Sequence, residues 1–129
     1  MTDLPFRYYS HDQLGLRKDV QGARFCEVSL ERSMLTYFEL DSGAYFPEHS
    51  HQSEQITFVL SGHLVFEIGG EEVVVGPREA IAIPGELPHA VRSVDSVVAV
   101  DAWSPPRESL RTYPRTTQPA DYRNRQGEP

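Results

Sequence analysis

Positive charge, cysteine and long apolar runs are all scarce in this chain. Its 12 lysines and arginines stand against 19 aspartates and glutamates, for a formal net charge of −7. A surface with that balance repels phosphate backbones and anionic bilayers, which argues against nucleic acid or membrane as a partner. It leaves room for a local basic pocket that takes a small anion. Cys26 is the only cysteine, so no intrachain disulfide can form and a reducing compartment is the simpler expectation. No run approaches the length of a membrane span, and the opening MTDLPFRYYSHDQLG lacks an apolar targeting region. A soluble cytoplasmic protein is therefore expected.

Turn formers, by contrast, are plentiful: 10 prolines and 9 glycines in 129 residues, many of them between short apolar alternations. That pattern predicts one domain built from many short strands and tight turns. ARFCEVSL (23–30) and SMLTYFEL (33–40) read as strands, as do ITFVL, HLVFEIG, EEVVVG, AIAIP, HAVRSV and VVAVDAWS. Turns are marked by Ser61-Gly62, Gly69-Gly70, Pro84-Gly85 and Asp95-Ser96. About eight or nine strands at this spacing predict an all-β double-sheet jelly roll or small barrel. Three regions are expected: residues 1–22 as an N-terminal edge strand or partner contact, 23–110 as the barrel, and 111–129 as a polar, flexible tail. In the first, Phe6, Tyr8 and Tyr9 are candidates for the edge strand and HDQLGLRKDV for a short helical turn; a second turn is expected at Arg107–Leu110.

The chemistry concentrates in GAYFPEHSHQSEQITFVLSG (43–62). Residues two apart on a strand share a face, so His49 and His51 can present two imidazoles to one point, with Gln55, Thr57 and Val59 continuing that face. Ile56, Phe58 and Leu60 are then expected to point the other way, into a sheet-to-sheet core. Imidazole nitrogens with a neutral amide oxygen suit a divalent first-row metal. In VVAVDAWS, Asp101 shares a face with Ala99 and Trp103. An acid there is costly to bury unless it is paired or functional; it is either a strand-end aspartate pointing to solvent or paired with an arginine, or a cavity group. Arg107 follows the rigid Ser104-Pro105-Pro106 turn. It is either a surface charge or a guanidinium folded back over the barrel mouth to grip a carboxylate. Trp103 and Phe66 have the parity for a cavity wall, and His11 and His63 read as surface residues.

GAYFPEHSHQSEQITFVLSG resembles the first cupin motif, with its spacing kept from Gly43 to His49 and from Gln55 to Gly62, and with Gln55 where the motif has an acid. PREAIAIPGELPH (77–89) resembles the second, with Pro84 and His89 in place but Arg78 and Glu86 where the motif has glycines. The resemblance implies a double-stranded β-helix, or jelly-roll barrel, holding one divalent transition metal (Ni, Zn, Fe, Mn or Co) on His49, His51, Gln55 and His89. VDAWSPPRESL (100–110) is similar to the closing segment of small cupins of the KdgF type, which convert unsaturated uronates to linear keto acids. That narrower resemblance implies Asp101 as the catalytic acid/base, Arg107, Trp103 and Phe66 as substrate-binding residues, a small anionic sugar acid as substrate, and a homodimer. A glutamine ligand leaves a divalent ion its full charge, which favours Lewis-acid proton chemistry. The alternatives are a metallated sugar-acid sensor without turnover and an oxygen-using cupin dioxygenase.

Overall fold

The computed structural model describes residues 5–10 and 13–111. Ten strands and one short helix follow in order. They are β1 (Arg17–Lys18), β2 (Ala23–Ser29), β3 (Met34–Leu40), β4 (Tyr45–His49) and β5 (Glu54–Ser61). After these come β6 (Leu64–Ile68), β7 (Glu71–Val75), β8 (Ala80–Ile83), β9 (His89–Ser93), β10 (Val97–Ser104) and α1 (Glu108–Arg111). Two antiparallel sheets result, one ordered β1-β2-β3-β10-β5-β8 and the other β4-β9-β6-β7. Among the described residues no helix is long and apolar enough to cross a membrane.

Strand alternation sets the interior in layers. Across the larger sheet the register aligns Ser29, Met34, Trp103, Gln55 and Ile83, and one step below Glu27, Thr36, Asp101, Thr57 and Ile81. The next row is apolar: Phe25, Phe38, Ala99 and Val59. Facing it on the smaller sheet, Phe46, Val91 and Phe66 lie side by side. With Ala23, Leu40, Leu64, Val75 and Val97 these form the core, and Phe25 is buried beside it. Burying Phe66 alone contributes roughly 2–3 kcal/mol. Cys26 is buried in β2, as a small apolar residue would be.

Three expectations are corrected. Ile56, Phe58 and Leu60 do not enter a sheet-to-sheet core; they are 52%, 40% and 47% exposed on the outer face. A jelly roll has one interior, so the face of β5 that carries Gln55, Thr57 and Val59 is also the only one that meets the opposite sheet. The short helical turn expected in HDQLGLRKDV is present at Gln13, whose N–H donates to the Ser10 carbonyl at 3.0 Å, but the edge strand is formed by Arg17 and Lys18 against β2, while Phe6 is exposed and Tyr8 forms a single bridge. The reason is a buried partner: the Arg17 guanidinium reaches Glu27 at 3.3 Å and lies over the Phe25 ring at 5.0 Å. The third concerns His51, which lies in the loop after β4 and not on a strand. The expected turn near 107–110 is α1, and residues 112–129, like His11, lie outside the described residues.

Candidate metal centre and its cavity

The three imidazoles come together by routes that differ from simple alternation. His49 ends β4 opposite His89, the first residue of β9, and the register slips between Phe46 and His49. Pro47 and Glu48 take up that slip as a bulge, which re-aims the end of the strand. From His49 the chain leaves the smaller sheet and enters the larger one at β5, so His51 sits on the crossing loop and Gln55 on the far sheet. The loop is pinned by the β8–β9 turn, where the Glu86 N–H donates to the His51 carbonyl at 2.7 Å. A Cβ on Gly85 would lie 2.4 Å from the Gln52 carbonyl oxygen, so only glycine lets the two loops touch this closely. The ring centroids of His49 and His89 are 4.4 Å apart, those of His51 and His89 5.1 Å, and those of His49 and His51 5.6 Å.

Each ring is oriented by its own neighbourhood. The Nδ1 atoms of His49, His51 and His89 lie 2.8, 2.9 and 2.8 Å from the carbonyls of Pro47, Ser53 and Leu87. A carbonyl can only accept, so Nδ1 carries the proton and Nε2 presents its lone pair. His89 Nε2 is buried and has no hydrogen-bond partner. Burial is the main cause that holds His51 and His89 below the ordinary histidine pKa, in the neutral form that ligates metals. One donor atom from each histidine lies within 4.8 Å of the others. His51 Nε2 is 3.2 Å from Gln55 Oε1, near the roughly 3 Å that separates adjacent ligands of a first-row ion bound at about 2.1 Å. These residues fit a transition metal, and His49, His51 and His89 can hold one.

Asp101 is linked to this cluster through side chains. Gln55 Nε2 donates to Thr57 Oγ1 at 2.9 Å, and the Thr57 hydroxyl donates to Asp101 Oδ1 at 2.5 Å. Burial dominates the Asp101 carboxyl and pushes it up to about 7, with the Thr57 hydrogen bond and the Arg107 charge pulling the other way. Trp103 is held by its Nε1–H donating to Thr36 Oγ1 at 3.1 Å, and its ring meets His51 edge-on at 5.2 Å. Arg107 does fold back: its guanidinium lies over the Trp103 ring at 5.0 Å. Burial lowers its pKa, opposed by Asp101 and Asp19, yet arginine remains charged at neutral pH.

All these groups except His51 line one cavity of about 420 Å³, which Phe66 also lines. His63 stays at the surface as expected, although it does have a partner, Asp95 Oδ2 at 2.9 Å. Sequence reasoning gave no role to Thr36, Thr57, Asp19 or Glu27. Thr57 was legible as the next residue in phase after Gln55. Glu27, fully buried between Phe25 and Ser29 in phase, carried the same signal as Asp101, an acid on an inward face. Asp19, exposed at the cavity rim, had no signal because its stretch has no period.

Comparison with known proteins agrees with this architecture. A family model described as "Cupin domain" matches residues 36–103. Dimethylsulfoniopropionate lyase DddQ of Ruegeria pomeroyi is 34% identical over 82 residues, covering 62% of this chain and 39% of that protein. The chain thus spans about two fifths of that relative's length. KdgF from Halomonas sp. superimposes with a TM-score of 0.74 at 23% identity, over 80% of this chain and 98% of that one. An RmlC-like cupin from Shewanella frigidimarina gives 0.75 at 19%, over 80% and 94%. The polyketide cyclase RemF from Streptomyces resistomycificus gives 0.67 at 22%, over 83% and 82%. At such identities the solved structures show the jelly-roll fold alone.

Proposed function

The chain belongs to the cupin domain family, and on that premise we propose that it is a metal-dependent enzyme that moves a proton on a small carboxylate substrate. One observation carries the reading. A buried carboxyl pushed up to about 7 shares a cavity with two histidines of a three-histidine cluster and a guanidinium stacked on tryptophan. A group titrating near neutral pH can both take and return a proton, which is what general acid/base catalysis requires.

His49, His51, Gln55 and His89 would hold the ion, which when bound supplies Lewis acidity toward substrate oxygen. Arg107 binds the substrate carboxylate, held in place by the Trp103 ring beneath it. Trp103 and Phe66 wall the substrate body and exclude water. Asp101 takes the proton and returns it, with Thr57 fixing the orientation of its Oδ1.

Two forms of this reaction are supported. Ring opening of an unsaturated uronate, the form expected from the sequence resemblance, is favoured by the likeness to KdgF. Opening such a cyclic enol ether removes the hydroxyl proton at the anomeric carbon, breaks the ring C–O bond and places a proton on the former alkene carbon. No oxidant is needed. Elimination on a short carboxylate, favoured by the sequence relative that is a dimethylsulfoniopropionate lyase, begins instead with removal of the proton beside the carboxylate. The C–H electron pair becomes a C=C bond, the group on the β-carbon departs with its bonding pair, and Asp101 passes the proton to solvent. Both need one residue that cycles its proton and one that binds the carboxylate.

The test is metal analysis of the purified protein, followed by assays under nitrogen on unsaturated galacturonate, unsaturated mannuronate and dimethylsulfoniopropionate. Metal-dependent, oxygen-independent turnover of any of these that is lost in Asp101→Asn is the expected result. Full activity in Asp101→Asn with metal still bound would end this assignment, oxygen consumption would promote a dioxygenase, and tight binding without product a sensor. We expect a homodimer, for which the apolar outer face around Leu35, Ile56, Phe58 and Leu60 supplies a surface. The assembly is measured by sedimentation.

A further inference from the structure

The layering of the barrel bears on what the substrate looks like beyond its carboxylate. The polar rows that hold Gln55, Thr57, Asp101, Thr36 and Trp103 have turned much of their hydrogen-bonding capacity on one another. Immediately below, the cavity wall is hydrocarbon. Phe25 and Phe38 pair across the larger sheet, and Phe46 and Phe66 flank Val91 on the facing one. None of these side chains offers a donor or acceptor to a ligand hydroxyl. The charged lining residues Asp19 and Glu48 are exposed, so they sit at the rim. Of the described lining arginines, Arg24 reaches Glu39 at 3.7 Å and Asp41 at 3.2 Å, which leaves Arg107 to meet an anion.

Resting on the reading above, we propose that this cavity takes small monocarboxylates whose body is poor in hydroxyl groups, an alkyl, alkenyl or aryl body, in preference to polyhydroxylated sugar acids. The carboxylate meets Arg107 and the body lies in the phenylalanine layer. A hydroxyl carried into that layer loses its water and finds no partner, which weakens binding by roughly tenfold for each such group. An apolar body gains by leaving water against the same wall. Two acids at the rim disfavour a second negative charge on the ligand. Of the two forms of the reaction, the inference favours elimination on a short, poorly hydroxylated acid.

The experiment compares two ligands of the same ring size and charge. Calorimetric titration of the metal-loaded full chain is made with cyclohexanecarboxylate and with galacturonate, for the wild type, Arg107→Gln, Phe46→Asn and Phe38→Tyr. Both phenylalanines are only partly buried, and thermal unfolding verifies that each variant is folded. The expected result is cyclohexanecarboxylate binding at least tenfold more tightly in the wild type. Arg107→Gln weakens both ligands alike, and a polar group in the phenylalanine layer narrows the gap between them. Tighter binding of galacturonate overturns this inference and leaves the carboxylate site standing. Binding of either ligand that ignores Arg107→Gln, or no binding of both, removes the carboxylate site and the inference with it. If Phe46→Asn does not fold, Phe38→Tyr decides, and an unchanged preference in a folded variant counts against the layer as the source of selectivity.

Discussion

Replacing Asp101 by asparagine is expected to stabilise the protein and to disable it. Asp101 is 9% exposed in the structure, and its carboxyl rises from an ordinary 3.8 to about 7 on folding, chiefly through burial. Because the folded-state value is the higher one, the folded protein holds more protons than the unfolded chain between those two pH values. The contribution of Asp101 to stability is therefore fully present below pH 4 and is lost as pH rises toward 7. About three pKa units at 1.36 kcal/mol each put that loss at up to about 4 kcal/mol, a large part of a typical domain stability. Asparagine cannot ionise, and its amide oxygen can still accept from Thr57. Urea unfolding of chelator-treated wild type and Asp101→Asn, from pH 4 to pH 8.5, should give curves that nearly coincide at the acid end. They should separate by about 2–4 kcal/mol in favour of the variant above pH 7.5. Turnover should fall by a factor of about 10²–10⁴ in the same variant. An offset that stays constant across the range would refute the reasoning, since it would mean that Asp101 titrates alike in the folded and unfolded states.

Three further expectations concern the centre and the turns that build it. His89→Ala should abolish metal binding: free ion at a thousand times its Kd stabilises the wild type by about 4 kcal/mol, and thermal unfolding with and without metal should show that shift vanish. Glu86 and Arg78 hold φ at 68° and 64°, a region that costs non-glycine residues about 1–2 kcal/mol. Glu86→Gly and Arg78→Gly should each raise the urea midpoint by the equivalent of about 0.5–1 kcal/mol, after the entropy that glycine adds to the unfolded chain. Gly62→Ala should do the reverse by more than about 2 kcal/mol, because a Cβ there would stand 2.1 Å from the Ser96 carbonyl oxygen at a φ of 81°; a near-neutral effect would show that the turn can open freely.

Those two strained residues also mark how far the chain could be read. Arg78 and Glu86 occupy the positions where the second motif has glycine, and the backbone keeps the left-handed conformation although the residue has changed. The motif was therefore legible even at its departures. Strand limits were legible because alternation and turn formers both mark them; β10, for instance, runs from Val97 to Ser104 as expected. β5 was legible in its ligand face, Gln55, Thr57 and Val59, but not in where its other face lies. Its more apolar side, Ile56, Phe58 and Leu60, lies outside, and its polar side lies within. Hydropathy reports the cost of exposure, whereas here the interior is partly a site with its own need for donors. The bulge at Pro47 and Glu48 and the loop position of His51 were hidden for another reason. Equal spacing in sequence does not distinguish a strand from a crossing between sheets. Asp19 and the Arg17–Glu27 pair depend on contacts between distant segments that no local pattern encodes.

The donors are divided between the layers of the sandwich. His49 and His89 belong to the smaller sheet, Gln55 to the larger, and His51 to the segment that joins them. An ion gripped by all of them would work as a rivet through two plates. Prying the sheets apart at this end would then have to break coordination bonds as well as expose side chains.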